Sequence, residues 1–266
     1  MCGIFGFALR QAVSTEKVFN VLQRLEAHQL PTEPRPVGGY GAGIAFAKED
    51  GKVSLVKTGK TSDSPVECLR RIVEPSSVSV LLGHVRMPSP EFMATARFKE
   101  AAQPYVAKCL PGSTVVSVHN GKVENYLQMK SKLGSHVFES QQSTLIDSEV
   151  IPHYFEILLA ETRHPIQARD ALYSSLQGSN TAAVMQIGET AAFLHLFHKG
   201  KTRGLNVWSN EEGELVFSSR KEPLILEFGD VLTEKRFKER AEILCQQEAE
   251  LVLTFPFSVN KKQEAF

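Results

Sequence analysis

The chain has 266 residues, with 30 lysines and arginines against 30 aspartates and glutamates, so its formal net charge of +0 offers no footprint for nucleic acid or an anionic membrane. That length suits one large domain with a sizeable core; no apolar run approaches the roughly 20 residues of a membrane helix, and the start Met1-Cys2-Gly3-Ile4-Phe5 lacks the basic head of a secretion signal. Cys2, Cys68, Cys109 and Cys245 are too sparse for a disulfide scaffold, and the composition predicts a soluble, cytoplasmic protein.

Cys2 to Leu9 reads as a buried strand, apolar on both faces, with glycines that allow close approach. Ser14-Thr15-Glu16 then has the character of a helix cap, and Val18, Val21, Leu22 and Leu25 fall at helical spacing through Lys17 to Leu30. Pro31 to Gly39 must be a loop. Strands are predicted at Gly43 to Lys48, Lys52 to Thr58 and Ser77 to Val85, with a helix at Pro65 to Glu74. Met87 to Lys108 holds Pro88, Pro90 and Pro104 without a clean period, which predicts a long functional loop. A β-branched strand follows at Ser113 to His119, a short helix at Glu124 to Lys132, and a longer helix at Ser143 to Thr162 interrupted near Pro152. After a helix at Ala168 to Leu176 come four strand-like runs: Thr181 to Gln186, Thr190 to His198, Leu205 to Ser209 and Glu214 to Ser219. Lys235 to Phe257 mixes a charged, helix-like piece with an apolar strand at Glu250 to Phe255. Strands in two batches, with helices before and between them, predict an α+β or layered α/β architecture.

Cys2 is the most informative position. With Met1 removed, one residue carries both a thiol and a free α-amine, which titrates near about pH 7.7–8.0 and can act as a general base. With Met1 attached the nitrogen is an amide and cannot. The plain alternative is a small buried side chain heading a strand. Three other places carry polar groups at element ends: Gly83-His84-Val85-Arg86, His119-Asn120-Gly121-Lys122-Val123-Glu124-Asn125, and Asp147-Ser148-Glu149 before an apolar helix. Taken singly, Arg86 reads as a surface charge, Asn120-Gly121 as a hairpin turn, and Asp147 with Ser148 as a helix cap.

Together, M-C-G-I, G-H-V-R, A-Q-P-Y at Ala102 to Tyr105, H-N-G-x-x-x-N and I-D-S-E resemble the class II glutamine amidotransferases of the N-terminal-nucleophile hydrolase superfamily. L-Q-R-L-E, the glycine-rich Gly38 to Ala45 and a later F-S-S-R-K-E-P-L at Phe217 to Leu224 are similar to the family as well. The resemblance implies a four-layer αββα sandwich of two packed antiparallel sheets, forming a single domain over 1–266. Its motif-bearing part is 1–150, and 231–266 is a C-terminal helix/strand extension. It implies glutamine amide hydrolysis through a γ-glutamyl thioester on Cys2, with Asn120 and the Gly121 backbone N–H as oxyanion donors. Arg86 would hold the substrate α-carboxylate and Asp147 its α-ammonium. Ser89 is the candidate for the small hydroxyl that the family often carries after the arginine; Met87 departs from the usual aromatic, and Tyr40-Gly41-Ala42-Gly43 lacks an Asp-Ser found in some members.

No metal or organic cofactor is expected. His195-x-x-His198 would put its two rings on opposite faces of a strand, His84 and His119 read as packing or hydrogen-bonding residues, and Cys68, Cys109 and Cys245 read as buried thiols. The expected substrate is L-glutamine or a γ-glutamyl compound. The chain ends too soon for a synthase domain, so its partner is expected to be a separate synthase subunit, without nucleic acid or membrane. A free-standing amidohydrolase and a non-catalytic interaction module that kept the fold remain open. A papain-like hydrolase is disfavoured, because Cys2 lacks that family's C-G-[SA]-C-[WY] surroundings.

Overall fold

The computed structural model describes residues 2–48, 50–189 and 191–258; Met1 and Thr190, the residue expected to open one strand, lie outside the described residues. β1 (Gly3–Ser14) runs beyond the apolar segment that announces it. Ser14 then caps α1 (Thr15–Ala27), its hydroxyl accepting the Lys17 N–H, and Val18, Val21, Leu22 and Leu25 are buried as the period requires. β2 (Gly41–Ala47), β3 (Val53–Gly59), α2 (Pro65–Ile72) and β4 (Ser77–Val85) follow close to their expected places.

The segment expected as a long loop is more ordered: it holds 3-10 turns at Pro90–Thr95 and Lys99–Ala101 and a short strand, β5 (Tyr105–Ala107). β6 (Ser113–Gly121) and α3 (Tyr126–Ser131) come next. The long helix expected from Ser143 instead begins late. α4 (Val150–Thr162) follows a 3-10 turn at Asp147–Glu149, and Pro152 sits in its first turn, where the missing N–H has no partner to lose, so nothing is interrupted.

α5 (Pro165–Ser175), β7 (Asn180–Gly188), β8 (Ala192–Gly200), β9 (Asn206–Ser209) and β10 (Leu215–Ser218) agree with the sequence pattern. α6 (Lys221–Glu234) does not follow from it, and the charged piece read as helix-like is a strand, β11 (Lys238–Glu242). It pairs with β9 at a sheet edge, where charged side chains can reach water and pairing overrides propensity. β12 (Ala249–Phe257) ends the described chain.

Among the described residues the strands form two antiparallel sheets, ordered β11-β9-β10-β1-β4-β2-β3 and β12-β8-β7-β6-β5. Alternation along each strand divides the side chains. Ile4, Ala8, Val80 and Leu82 of the first sheet meet Val116, Val118, Ala183 and Met185 of the second in a common inner core. On the outer faces, Phe5 and Phe7 pack with residues of α1, α2 and α6, while Val115, Ala182 and Val184 pack with residues of α3, α4 and α5. The result is a four-layer αββα sandwich of two packed antiparallel sheets, as expected. No helix among the described residues is long and apolar enough to cross a membrane.

Burial pushes the pKa of His84 and of His195 down to about 3. Below about pH 6.5 the unfolded chain takes up protons that these folded rings refuse, so each removes stability as pH falls through that window. Burial raises the pKa of Glu26, Asp147 and Glu149, which act in the opposite sense, so the difference between two proteins is the clean quantity. Urea unfolding of His195→Phe between pH 7 and pH 5 is expected to lose less stability than wild type, by on the order of 1 kcal/mol per pH unit. Parallel curves would show that His195 does not titrate on unfolding.

Candidate active site

Alternation also assembles the site. One step beyond Ile4 on the inner face stands Cys2; beyond Val80 and Leu82 stand His84 and Arg86; beyond Val116 and Val118 stands Asn120. These strand ends lie at one end of the sandwich. The pairing of Gly3 with Val85 sets Cys2 beside the exit of β4, where its Sγ accepts the Met87 N–H (3.2 Å) and its S–H donates to the Met87 carbonyl (3.3 Å). Cys2, Arg86, Ser89, Gly121 and Asp147 all line one cavity of about 490 Å³. Asn120 is not on its wall. It is buried beside Gly121, and neither its amide nitrogen nor its oxygen has a hydrogen-bond partner among the described residues.

Arg86 is not a solvated surface charge. Its Nη1 donates to the Thr95 carbonyl (3.1 Å) and its Nη2 to Thr95 Oγ1 (2.7 Å), so the 3-10 turn after β4 holds the guanidinium in the cavity wall. Burial lowers its pKa, against the opposing pull of Tyr105, Cys2 and Asp147. Ser89 is exposed and makes no capping bond to that turn.

The I-D-S-E motif divides its work among three side chains. Asp147 Oδ2 accepts the Val123 N–H (2.8 Å), and burial raises its pKa against the pull of the Val123 and Ser148 backbone N–H groups. Glu149 accepts the N–H groups of Glu139 (2.6 Å) and Ser140 (3.0 Å) and the Ser140 hydroxyl, pinning the loop before the motif. Ser148 is bound to His119, whose state follows from its neighbours. Asn180 Nδ2 donates to the Gln177 and Gly178 carbonyls, so its oxygen must accept from His119 Nε2–H (2.9 Å). Burial lowers the His119 pKa and keeps the ring neutral, so Nδ1 accepts from the Ser148 hydroxyl (2.8 Å). The lone pairs of Ser148, which lines the cavity, are then left to a donor.

Gln103 of A-Q-P-Y clamps the His119 backbone both ways, accepting its N–H (2.6 Å) and donating to its carbonyl (3.1 Å). Pairing of Tyr105 with Ser117 puts Gln103 opposite His119 in register, so its side chain stands in for the next ladder rung. Thr95, Gln103, Ser148 and Asn180 are supports that sequence reasoning did not single out; only the motif letters of Gln103 and Ser148 marked any of them. The other cysteines differ from expectation too. Cys109 is exposed, and Cys68 and Cys245 are half-buried. His195 bonds Thr254 Oγ1 (2.9 Å) and His198 bonds Thr181 Oγ1 (2.6 Å), each with its own partner.

No protein-family model matches the chain. It is 29% identical over 202 residues to the glutamine–fructose-6-phosphate aminotransferase (isomerizing) of Sulfurisphaera tokodaii, covering 73% of this chain and 30% of that protein. The protein of the same name from Caulobacter vibrioides is 27% identical over 224 residues, covering 82% of this chain and 32% of that one. The chain thus spans about a third of the length of these relatives. Its fold is similar to that of glutamine phosphoribosylpyrophosphate amidotransferase from B. subtilis, with a TM-score of 0.59 at 19% identity over 95% of this chain and 49% of that one. Over most of its length the chain is thus similar to part of enzymes named for their use of glutamine.

Gly121 has φ +119°, and a Cβ there would lie 2.0 Å from the Ser179 carbonyl oxygen, so no other residue fits. Gly112 has φ +97° with nothing within 4 Å of its Cβ position. Gly121→Ala is expected to lower stability by at least about 2 kcal/mol in urea unfolding, and clearly more than Gly112→Ala, which carries only the dihedral strain. Equal losses would show that the backbone around Ser179 yields freely.

Proposed function

We propose that this protein hydrolyses the side-chain amide of glutamine to glutamate and ammonia through a γ-glutamyl thioester on Cys2. The carrying observation is the shared cavity: the Cys2 thiol, the Arg86 guanidinium and the Asp147 carboxylate line it, with the unpartnered Asn120 amide beside Gly121 at its edge. Once Met1 is removed, the α-amine of Cys2 takes the thiol proton and the thiolate attacks the amide carbon. Negative charge moves to the carbonyl oxygen, where Asn120 Nδ2–H and the Gly121 N–H donate; each such donor can be worth about 2.7–4 kcal/mol. The amine returns its proton to the departing ammonia, and water then cleaves the thioester.

Arg86, fixed by Thr95, suits the α-carboxylate through two parallel N–H bonds. Asp147 suits the α-ammonium, and Ser148, held as donor to His119, offers that ammonium a second acceptor. Ser89 stands at the cavity as a further hydroxyl for the substrate. We read residues 1–266 as one such domain, acting in the cytoplasm and passing its ammonia to a synthase module. The much greater length of the relatives, which are named as aminotransferases, supports that coupling.

A γ-electrophilic glutamine analogue such as a diazo-ketone is expected to label Cys2 and none of Cys68, Cys109 or Cys245, on protein whose mass starts at Cys2. Label elsewhere, or active protein with Met1 retained, would remove the nucleophile from this account. Asn120→Ala is expected to lower kcat by about 10²–10³-fold with little change in KM, because the donor acts in the transition state. A pure KM effect would place Asn120 in ground-state binding. Affinity capture from source extract should recover a synthase whose presence raises ammonia release. Faster hydrolysis of another γ-glutamyl compound, with no partner retained, would replace this reading with a free-standing amidohydrolase.

A further inference from the structure

A second cluster of reactive side chains lies outside the cavity just described, and none of its members lines that cavity. Cys109 follows β5, His136 lies in the loop after α3, and His153 and Glu156 stand three residues apart on one face of α4. One donor atom from each of the four lies within 4.8 Å of all the others. The separations between neighbours are tighter: 3.2 Å between the two Nδ1 atoms, 3.6 Å from Cys109 Sγ to His153 Nδ1, and 3.4 Å from His136 Nδ1 to Glu156 Oε2.

Those lengths carry the argument. Around a tetrahedral zinc ion, with bonds near 2.0–2.1 Å to nitrogen or oxygen and 2.3 Å to sulfur, ligand atoms stand about 3.3 Å apart, or about 3.6 Å when one is sulfur. The three edges agree with that tetrahedron. Glu156 is oriented for it as well. Its Oε1 accepts the Leu110 N–H (2.8 Å), while its buried Oε2 turns into the cluster without a hydrogen bond among the described residues. His136 and Glu156 are 4% and 2% exposed at the side chain, whereas Cys109 is exposed and gives an ion its way in. The Phe138 ring packs 4.5 Å from that of His153 and holds it in place. A thiol, two imidazoles and a carboxylate form the borderline donor set that zinc takes.

We propose that Cys109, His136, His153 and Glu156 form a structural Zn²⁺ site. Four protein ligands complete the tetrahedron, so the ion binds no reacting water. It fastens the turn after β5 and the loop after α3 to α4, the helix that the Asp147–Glu149 turn leads into. On binding, the Cys109 S–H bond breaks, a Zn–S bond forms, and the proton leaves to buffer.

The test uses the full chain stripped with a chelator and then titrated with Zn²⁺ or Co²⁺. One equivalent of Zn²⁺ should be taken up in competition with a chromogenic chelator. Co²⁺ should give the intense visible bands of tetrahedral cobalt with a thiolate-to-cobalt charge-transfer band. Cys109→Ser, at an exposed position that tolerates change, should lose that band and bind Zn²⁺ more than about tenfold more weakly. Zn²⁺ should raise the Tm of wild type but not of that variant. No uptake by wild type, or uptake without the charge-transfer band, overturns the proposal and leaves a hydrogen-bonded His136–His153–Glu156 group. The wild-type cobalt spectrum decides this even if every variant misfolds.

Discussion

The position of β1 governs the molecule. It pairs on one side with β4 and on the other with β10, so the first residues of the chain run through the middle of a seven-stranded sheet. Such a strand leaves little room. A Cβ on Gly3 would come within 2.7 Å of Val37, and one on Gly6 would meet the Phe217 ring at 2.5 Å and the Leu81 carbonyl oxygen at 2.6 Å. The glycines of C-G-I-F-G are therefore a packing requirement, and they fix the height at which Cys2 leaves the sheet. Given that height, the register of β4 brings up Arg86, and the second sheet, packed across the inner core, brings up Asn120 and Gly121.

Around that frame, buried polar groups are held in specific states. Gln103 replaces a missing ladder rung, His119 is tied between Ser148 and Asn180, and Thr95 carries Arg86. Lys57 reaches from the first sheet to Glu139 (2.6 Å) and the Ala102 carbonyl (3.0 Å), tying it to the loops that frame the second. Glu149 fastens the same loop from the other side. Each bond satisfies a group that would be costly to leave bare in the interior, and each removes a degree of freedom from the cavity wall.

How much of this could be read from the sequence depended on whether the signal was local. Val18, Val21, Leu22 and Leu25 announce α1 by period, and the motif letters around Cys2, Arg86, Gly121 and Asp147 bring these residues to one cavity. Contacts between distant segments leave no period. Thr95 binding Arg86 and Asn180 orienting His119 were invisible for that reason. Lys238 to Glu242 has the composition of a helix, and only its partner β9 makes it a strand. Alternation on β6 puts Asn120 on the inner face, but that it stays buried off the cavity wall leaves no mark in the sequence. Cys109 and His136 sit in separate loops, and the one local clue to their company was His153-x-x-Glu156 on a helix face.

The arrangement of β1 also sets a timetable. Its partner β4 emerges from the ribosome early, but β10, which pairs Phe5 with Ser218, is made more than a hundred residues later. At roughly 5–20 residues per second, that gap lasts on the order of ten seconds. During it β1 has one open flank, the side that β10 will later cover. The strand at the centre of the sheet is thus among the first to be made and among the last to be fully paired, and so long-range a pairing slows folding.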